Sequence, residues 1–374
     1  MKSQEIRDRW IKFFENKKHL YVPSASLIPQ NPTLLLTNAG MVPFVPYFLG
    51  QEKPPSKRAV SIQKCVRVGG KDSDLENIGK TPRHLTFFEM LGNFSFGDYF
   101  KEEVIPWSWD LLTNKDYGYG FKPEQLLVSI FEGDDKVSED KEALDIWHKK
   151  VGIPENRILK LGRKDNFWGP PGGISGPCGP CSEIYYDSGD GSEPIEIWNL
   201  VFMQYEQFED GSLKSLPKPN VDTGAGLERI ATILQGKQTV FETDLLAPII
   251  KKIKELDIEK SNTKLDLSVK IIADHIRCSA MLIGDGVKPS NLGRGYVLRM
   301  LIRRAARYGW LIGLKKPFLS ELVSPVKDIF DKAYPQVKES EKQIAEIIET
   351  EEKAFAKTLE NGLKKFNELV EKYQ

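Results

Sequence analysis

Cysteine and long apolar runs are both scarce in this sequence. Its 374 residues include only four cysteines, too few for the disulfide framework of a chain of this length. No apolar run approaches the roughly 18 residues of a transmembrane helix, and the N-terminus MKSQEIRDRW lacks the apolar core of a signal peptide. These absences favour a cytoplasmic protein in a reducing compartment, with no membrane partner.

An excess of charge of either sign is also absent. Lys plus Arg and Asp plus Glu each number 53, so the formal net charge is zero. The chain as a whole therefore has no net electrostatic attraction to nucleic acid. Charge is nevertheless segregated. Residues 287–320 contain eight basic and no acidic side chains, and residues 165–213 contain nine acidic and no basic ones. Any RNA binding must therefore depend on a local basic patch.

The texture of the chain changes near residue 240. Before it, short β-rich runs alternate irregularly with Gly- and Pro-containing loops, and after it long helical periods dominate. This predicts an α+β fold, an antiparallel sheet flanked by helices and followed by a mainly helical domain. We therefore expect a sheet-containing domain over 1–240 and a helical domain over 241–374. The runs predicted as strands are 34–36, 59–68, 84–90, 127–131 and 196–206.

Apolar spacing predicts the main helices. Ile6, Trp10, Phe13 and Phe14 fall on one stripe of a first helix. Later helical periods cover 267–283, 295–310 and 340–373. The last period reaches the end of the sequence without a closing proline, which favours a chain truncated from a longer gene product.

Two glycines stand at the predicted start of a helix in VDTGAGLERI, residues 221–230. Gly224 and Gly226 let a ligand approach the backbone, and the N–H groups at a helix start favour an anion. A tight turn before a helix explains the pair equally well. A dinucleotide-binding motif needs a third glycine where Arg229 stands, so that interpretation is disfavoured.

A strand, a polar loop and a second strand are predicted over residues 64–100. In the second strand the two-residue period places His84, Phe88 and Met90 on one face. Arg67, near the end of the first strand, suits a phosphate clamp beside a base-stacking ring. The alternative is that Phe88 belongs to the core and Arg67 forms a surface ion pair.

The order of these motifs resembles the three signature motifs of class II aminoacyl-tRNA synthetases. The segments that look like the catalytic part of the alanyl-tRNA synthetase family are, in chain order, RHLTFFEMLGNFSFGDYF, NFWGPPGGISGPCGPCSEI, EIWNLVFMQ and VDTGAGLERI. The match covers nearly the whole chain. It implies a class II catalytic core over 1–240 that condenses L-alanine with ATP to alanyl-adenylate and passes the alanyl group to the acceptor end of tRNA(Ala). It also implies that the helical domain over 241–374 recognises the tRNA.

The resemblance also implies how ATP is bound. Arg67 would grip the α-phosphate as the catalytic residue, Phe88 and Arg229 would sandwich the adenine, and backbone near Met90 would read its edge. Positioned positive charge stabilises the charge that spreads at the α-phosphorus. Mg²⁺ is implied by ATP, although the sequence singles out no ligands for it. The full set of expected ATP-binding residues is Arg67, His84, Phe88, Met90, Gly226 and Arg229.

Alanine needs a carboxylate for its ammonium group and a small pocket for its methyl. By the resemblance, Asp222 supplies the carboxylate beside Gly224, Trp168 forms the wall and Asn199 the polar floor. A helix cap at Asp222 and ordinary core at Trp168 are the alternatives. One methyl group gives only about 1–3 kcal/mol of discrimination, so glycine and serine are expected to enter as well.

Cys178 and Cys181 form a C-x-x-C pair. A structural zinc needs four ligands, and neither a second C-x-x-C nor a nearby H-x-x-H follows. We therefore predict no zinc in this portion and interpret the segment as a Gly/Pro-rich loop at the mouth of the active site.

A basic amphipathic helix is predicted within residues 289–309. Its arginines recur every four residues opposite an apolar side, a pattern suited to an RNA backbone or to a solvated helix face. The resemblance favours the tRNA acceptor stem, with Asn291 where the family reads a G·U pair from the minor groove. The expected tRNA-binding residues are Asn291, Arg294, Arg299, Arg303 and Arg307.

Two other classes of function stay open on the residues alone. One is a truncated relative that binds tRNA without chemistry, and the other is an adenylate-forming ligase with a different acceptor. The presence of Arg67, Phe88, Asp222 and Arg229 together disfavours the first, and the basic helix disfavours the second.

Overall fold

A computed structural model describes the chain in four stretches, residues 1–69, 75–169, 175–259 and 261–373. By compactness the chain divides into two units. The first comprises Met1–Cys65 and Phe88–Gly236, and the second comprises Val66–Phe87 and Lys237–Gln374. The assignment of catalysis to 1–240 and tRNA recognition to 241–374 stays a prediction, because compactness does not test it.

The first unit is built on a mixed β-sheet. Within the described stretches its strands are β1 Leu20–Tyr21, β2 Arg58–Val66, β3 Phe87–Ser95, β4 Leu126–Phe131, β5 Ile158–Leu161, β6 Phe167–Trp168, β7 Gly176–Tyr186, β8 Ile195–Gln207 and β9 Leu213–Gly226. Their order is β1-β2-β3-β9-β8-β7-β4-β5, with β6 paired to β7. The pairs from β3 through β9, β8 and β7 to β4 are antiparallel, whereas β1–β2 and β4–β5 are parallel. The predicted α+β class with a mainly antiparallel sheet is confirmed.

Short and long helices surround the sheet in the first unit. They are α1 Ser3–Glu15, α2 Val45–Phe48, α3 Lys101–Thr113, α4 Lys141–Asp145, α5 Arg163–Asn166 and α6 Leu227–Leu234. A π-helical segment follows α4, and single turns of 3-10 helix occur in both units. Their bounds are Ile146–Val151 for the π-helix and Val42–Phe44, Leu75–Asn77, Pro123–Gln125, Glu155–Arg157, Val240–Glu242 and Leu319–Leu322 for the 3-10 turns.

The second unit is mainly helical, as expected. Its helices are α7 Ala247–Lys254, α8 Leu265–Gly284, α9 Gly293–Leu311, α10 Val323–Phe330, α11 Pro335–Glu339 and α12 Glu341–Tyr373. Three of these match the predicted periods to within about two residues. Among the helices of the described stretches, none is both long enough and apolar enough to cross a membrane.

The apolar stripe of the first helix is confirmed. Ile6, Trp10, Phe13 and Phe14 are all buried on α1. The ring of Trp10 lies 4.5 Å from that of Trp198 in β8, measured between centroids. One face of α1 therefore packs on the sheet, as its spacing predicts.

Two strand predictions are wrong. Residues 34–36 form no strand, and the second strand of the Arg67 motif runs over Phe87–Ser95 instead of 84–90. Leu34 and Leu36 are nevertheless buried, so an apolar run here marks burial in an irregular segment. A short apolar run cannot by itself distinguish these cases.

Candidate active site

Three adjacent strands bring the predicted pocket residues together in the first unit. Met90 of β3 lies opposite Gly226 of β9, and Asn199 of β8 lies opposite Gly224. Asp222 precedes Gly224 by two residues on the same strand. Directly opposed residues, and residues two apart along a strand, project from the same face of a sheet. These five residues therefore share one face.

Trp168 and Met90 pack against the same apolar cluster. Both are half-buried and pack against a group of buried residues that includes Cys181, Val201 and Met203. Val201 is the cross-strand partner of Asp222. An apolar wall thus borders the strand position that carries the carboxylate.

Side chains pack closely against both glycines at the predicted start of the helix. A Cβ on Gly224 would lie 2.8 Å from Sδ of Met90, closer than such atoms approach, so only glycine fits without moving the methionine. A Cβ on Gly226 would lie 3.3 Å from Cδ of Arg229. Arg229 therefore folds back over Gly226 from α6, which begins at Leu227 as predicted.

Asp222 is a buried carboxyl group on this face to which the described residues provide no hydrogen bond or ion pair. Its side chain is buried, and burial alone raises the pKa of its carboxyl group to about 7. Within the described stretches no hydrogen bond or ion pair reaches its carboxylate. A nearby cation would favour the ionised form and offset the cost of desolvation. The site is therefore suited to an ammonium group.

Asn199 is oriented by a carboxyl group that the sequence analysis missed. Its Nδ2 donates to Oε1 of Glu183 at 2.9 Å, and the Tyr185 hydroxyl donates to Oε2 of Glu183. The pKa of Glu183 is raised to about 8, first by burial and then by the neighbouring charge of Glu196. In the described part of the chain Oδ1 of Asn199 is buried and accepts no hydrogen bond. Asn199 is therefore held with a bare acceptor.

Arg229 is also held by an acidic partner. Its Nη1 donates to the main-chain oxygen of Glu196 at 2.8 Å and to Oε2 of Glu196 at 2.9 Å. About a quarter of its side chain is exposed. The guanidinium is thus fixed at its end, while its stem lies over Gly226.

A buried ion pair supports β3 from behind. Nε of Arg7 donates to Oε1 of Glu89 at 2.9 Å, and Nη2 donates to Oε2 at 2.5 Å. The N–H of Glu89 donates to Oε2 of Glu228 on α6 at 3.1 Å. Glu89 stands between Phe88 and Met90, whose side chains alternate to the other face. The network ties α1, β3 and α6 together beneath the predicted pocket.

Arg67 and His84 belong to the second unit. Arg67 directly follows β2, and its N–H donates to the main-chain oxygen of Thr86 at 3.0 Å. Nδ1 of His84 lies 2.7 Å from Oγ1 of Thr81. Residues 70–74 of the polar loop lie outside the described stretches. The roles of Arg67 and His84 in ATP binding stay predictions.

The basic helix is α9, within the second unit. The apolar side predicted for it is buried and consists of Val297, Leu298, Leu301, Ile302 and Ala305. A surface cavity of about 540 Å³ is lined by Asn291, Arg299, Arg303 and Arg307, among others. Arg294 lies in the first turn of α9 and is not part of that lining. The structure therefore brings four of the five predicted tRNA-binding residues to one concavity.

The C-x-x-C segment lies in a strand, not in the loop that we predicted. Cys178 and Cys181 are buried in β7, where the register shifts between them. A Cβ on Gly179 would lie 1.9 Å from the main-chain oxygen of Phe202, which explains the glycine. Burial raises the pKa of both thiols. The bulge sends the two cysteines into separate apolar clusters.

Comparison with known protein families places the chain in one class. The family described as tRNA synthetases class II (A) matches residues 5–374. The chain belongs to this family of class II tRNA synthetases.

The similar curated proteins are more specific. An alanine--tRNA ligase of Thermotoga maritima is 51% identical over 389 aligned positions, covering 100% of this chain and 44% of that protein. Those of Magnetococcus marinus and Acetivibrio thermocellus are 50% and 49% identical, covering 99% and 98% of this chain and 43% and 42% of theirs. The chain thus spans less than half the length of these relatives.

One solved structure similar to this chain is a putative aspartyl-tRNA synthetase from Leishmania major Friedlin. It is 14% identical, with a TM-score of 0.36, over 65% of this chain and 63% of that one. The TM-score is too low for this likeness to bear on function.

Proposed function

We propose that this chain activates L-alanine with ATP to alanyl-adenylate and transfers the alanyl group to tRNA(Ala). The observation that supports this most is the buried carboxylate of Asp222, with a pKa raised to about 7 and no partner within the described stretches. It shares a sheet face with Asn199 and Gly224. The alanine--tRNA ligases at about 50% identity support the choice of amino acid.

Asp222 would bind the ammonium group of alanine. The apolar cluster next to it, with Trp168 at its edge, is suited to the methyl group. Oδ1 of Asn199 accepts no hydrogen bond in the described stretches and is a second acceptor for an N–H donor. A carboxylate, an amide oxygen and an apolar wall match a small amino acid.

ATP would be bound by the residues of the two further motifs. Arg67 would contact the α-phosphate, and Phe88 and Arg229 would stack on the adenine, with the backbone near Met90 at the adenine edge. His84 and Gly226 complete the set. Arg229 is suited to stacking because Glu196 fixes its end, and a planar guanidinium stacks well on aromatic rings.

Mg²⁺ accompanies ATP in this class, and a pair of carboxyl groups in the described stretches suits it. Glu183 and Glu196 are close enough for the charge of one to raise the pKa of the other. Mg²⁺ is commonly held by one or two carboxylates together with phosphate oxygens. Glu183 and Glu196 would hold the ion, which would neutralise phosphate charge.

The chemistry needs positioning more than covalent help. The alanine carboxylate attacks the α-phosphorus and pyrophosphate leaves. A hydroxyl at the 3′ end of tRNA then attacks the alanyl carbonyl and AMP leaves. Asp222 orients the amino acid, and the Arg67 guanidinium stabilises negative charge that develops at the α-phosphate.

The tRNA acceptor stem would bind along α9. Arg299, Arg303 and Arg307 line one concavity with Asn291. Arginine side chains suit RNA phosphates, and a shallow minor groove is accessible to a side chain such as Asn291 in A-form RNA. Arg294 would add a contact at the start of the helix.

Alanine-dependent exchange of pyrophosphate into ATP tests the first step. We expect exchange with alanine, weaker exchange with serine and glycine, and none with bulky amino acids. Charging of tRNA(Ala), with and without a changed acceptor-stem G·U pair, tests the second step. Exchange that does not depend on alanine would refute the proposed amino acid. Charging without preference for the G·U pair would refute the role of Asn291.

A further inference from the structure

The basic segment of α9 contains no acidic residue, but α12 supplies one. Oε1 of Glu351 lies 2.6 Å from Nε of Arg303 and 3.3 Å from Nε of Arg299. The Glu351 side chain is 14% exposed, and those of the two arginines are 27–28% exposed. One carboxylate therefore pairs with two of the arginines that line the α9 concavity and lowers their combined charge by one.

The position of Glu351 is fixed by its neighbours. Glu352, next along α12, is buried and accepts hydrogen bonds from the N–H groups of Phe318 and Leu319. The guanidinium of Arg303 also lies 5.5 Å above the ring of Phe355, one turn further along α12. Contacts on both sides of Glu351 thus hold α12 against α9. The ion pairs are part of a packed interface.

The same contacts reach the residue that is expected to read the acceptor stem. Arg299 donates a hydrogen bond to Oδ1 of Asn291. Glu351, Arg299 and Asn291 therefore form one chain of contacts along the wall of the concavity. A guanidinium binds a carboxylate and a phosphate through the same donors. An RNA phosphate at Arg299 or Arg303 must consequently share or displace the Glu351 carboxylate.

Building on the proposed binding of tRNA, we infer that Glu351 is a specificity-determining residue for RNA. It keeps Arg299 and Arg303 paired. Any RNA whose phosphates contact these arginines must therefore displace the Glu351 carboxylate from both ion pairs. Glu351 also holds Arg299, which donates to Oδ1 of Asn291, and so keeps Asn291 in position to read the base pair. Glu351 thus lowers affinity for all RNA and raises the ratio of correct to incorrect binding.

The test compares Glu351→Gln with Glu349→Gln in the full 374-residue chain. Glu349 is on the same helix and pairs with Lys353 at 2.6 Å, so its variant removes the same charge without touching α9. The probes are a tRNA(Ala) transcript and the same transcript with its acceptor-stem G·U pair replaced by G·C. Affinity is measured over a range of salt concentrations.

We expect Glu351→Gln to bind both transcripts about three- to tenfold more tightly, as two partly exposed ion pairs allow. The dependence of log affinity on log salt becomes steeper by about one to two, since two more arginines contact phosphate. Without Glu351, Arg299 no longer holds Asn291 in position, so the G·U transcript loses part of its base contact and gains less than the G·C transcript. The ratio between the transcripts therefore falls. Glu349→Gln changes neither quantity.

Three results would overturn the inference. They are equal effects of the two variants, an unchanged ratio between transcripts, and weaker binding by Glu351→Gln, which would mean that Glu351 orients the arginines for RNA. Alanine-dependent pyrophosphate exchange is measured alongside. If exchange is present while any of these results holds, the inference fails and the proposed activity stands. If no variant binds tRNA, the inference and the tRNA part of the proposed function fail together.

Discussion

Asp274 of α8 accepts two hydrogen bonds from Thr86, one from the main-chain N–H at 2.8 Å and one from Oγ1 at 2.5 Å. Its Oδ2 also lies 2.8 Å from Nδ1 of His275. The N–H of Arg67 donates to the main-chain oxygen of Thr86. Thr86 is therefore held on one side by a helix and on the other by the residue expected to contact the α-phosphate. Within the second unit, α8 therefore supports the two ends of the segment that links β2 to β3, where Arg67 and Thr86 lie.

We expect Asp274→Asn to lower the free energy of unfolding by about 1–3 kcal/mol, because an amide cannot accept from both donors of Thr86 and leaves one buried donor unsatisfied. Urea unfolding measures the change. Asp266→Asn is the matched control, since Asp266 is exposed on the same helix and pairs only with Lys270 among the described residues. Its effect should stay within about 0.5 kcal/mol. If both variants lost the same free energy of unfolding, the hydrogen bonds between Asp274 and Thr86 would not be the cause.

The sequence predicted elements whose burial pattern is local. The apolar residues of α1 from Ile6 to Phe14 and those of α9 repeat at helical spacing. The apolar face of each helix is buried, as predicted. Asn199 of β8 lies opposite Gly224 of β9, and the alanine pocket that the resemblance implied at these residues stays a prediction.

What could not be predicted depends on partners distant in sequence. Gly179 looks like a loop residue, but it lies in β7, where the main-chain oxygen of Phe202 leaves no room for a Cβ and glycine is required. Glu183 could have been noticed as a lone carboxyl group in an apolar stretch, yet its role depends on Asn199 of another strand. Glu351 is 48 residues beyond Arg303, so the charge pattern of residues 287–320 could not reveal their pairing.

Arg67→Ala should lower alanine-dependent pyrophosphate exchange by at least ~100-fold, the scale expected when a donor that stabilises developing charge is removed. Arg67→Lys should recover only part of the rate, because an ammonium group lacks the forked geometry of a guanidinium. Arg9→Ala is the control, an arginine of α1 paired with Glu5 on the surface. Unchanged exchange in a folded Arg67→Ala protein would contradict the α-phosphate assignment.

Asp222→Asn should raise the KM for alanine by about 10- to 100-fold, the value of a hydrogen bond to a charged group, and leave the KM for ATP nearly unchanged. The reason is that the amide keeps the volume of Asp222 but loses the charge that would pair with the ammonium group. Exchange kinetics with each substrate varied in turn provide the measurement. Equal increases for alanine and ATP would argue against an ammonium site.

The same substitution should change how stability depends on pH. Burial raises the pKa of Asp222 from 3.8 to about 7, so the folded state retains a proton that the unfolded chain releases. Stability from this group is fully present below the ordinary pKa and is lost as pH rises towards 7. Asp222→Asn should therefore gain on the parent by about 2–3 kcal/mol between about pH 5 and about pH 8. Urea unfolding at both pH values checks it, and a constant difference would contradict the raised pKa.

Arg303→Ala should weaken binding of tRNA(Ala) by about three- to tenfold and reduce the salt slope by about one, the expected loss of one phosphate contact. Lys353→Ala removes the same charge from an exposed position on α12 and should do neither. The effect of Arg303→Ala should also depend on Glu351, because the carboxylate occupies Arg303 in the parent. In a Glu351→Gln background the arginine contacts RNA fully, so its removal costs more there. If the two substitutions prove additive, Arg303 binds RNA independently of Glu351; a salt-independent affinity in the parent would exclude phosphate contacts by α9 altogether.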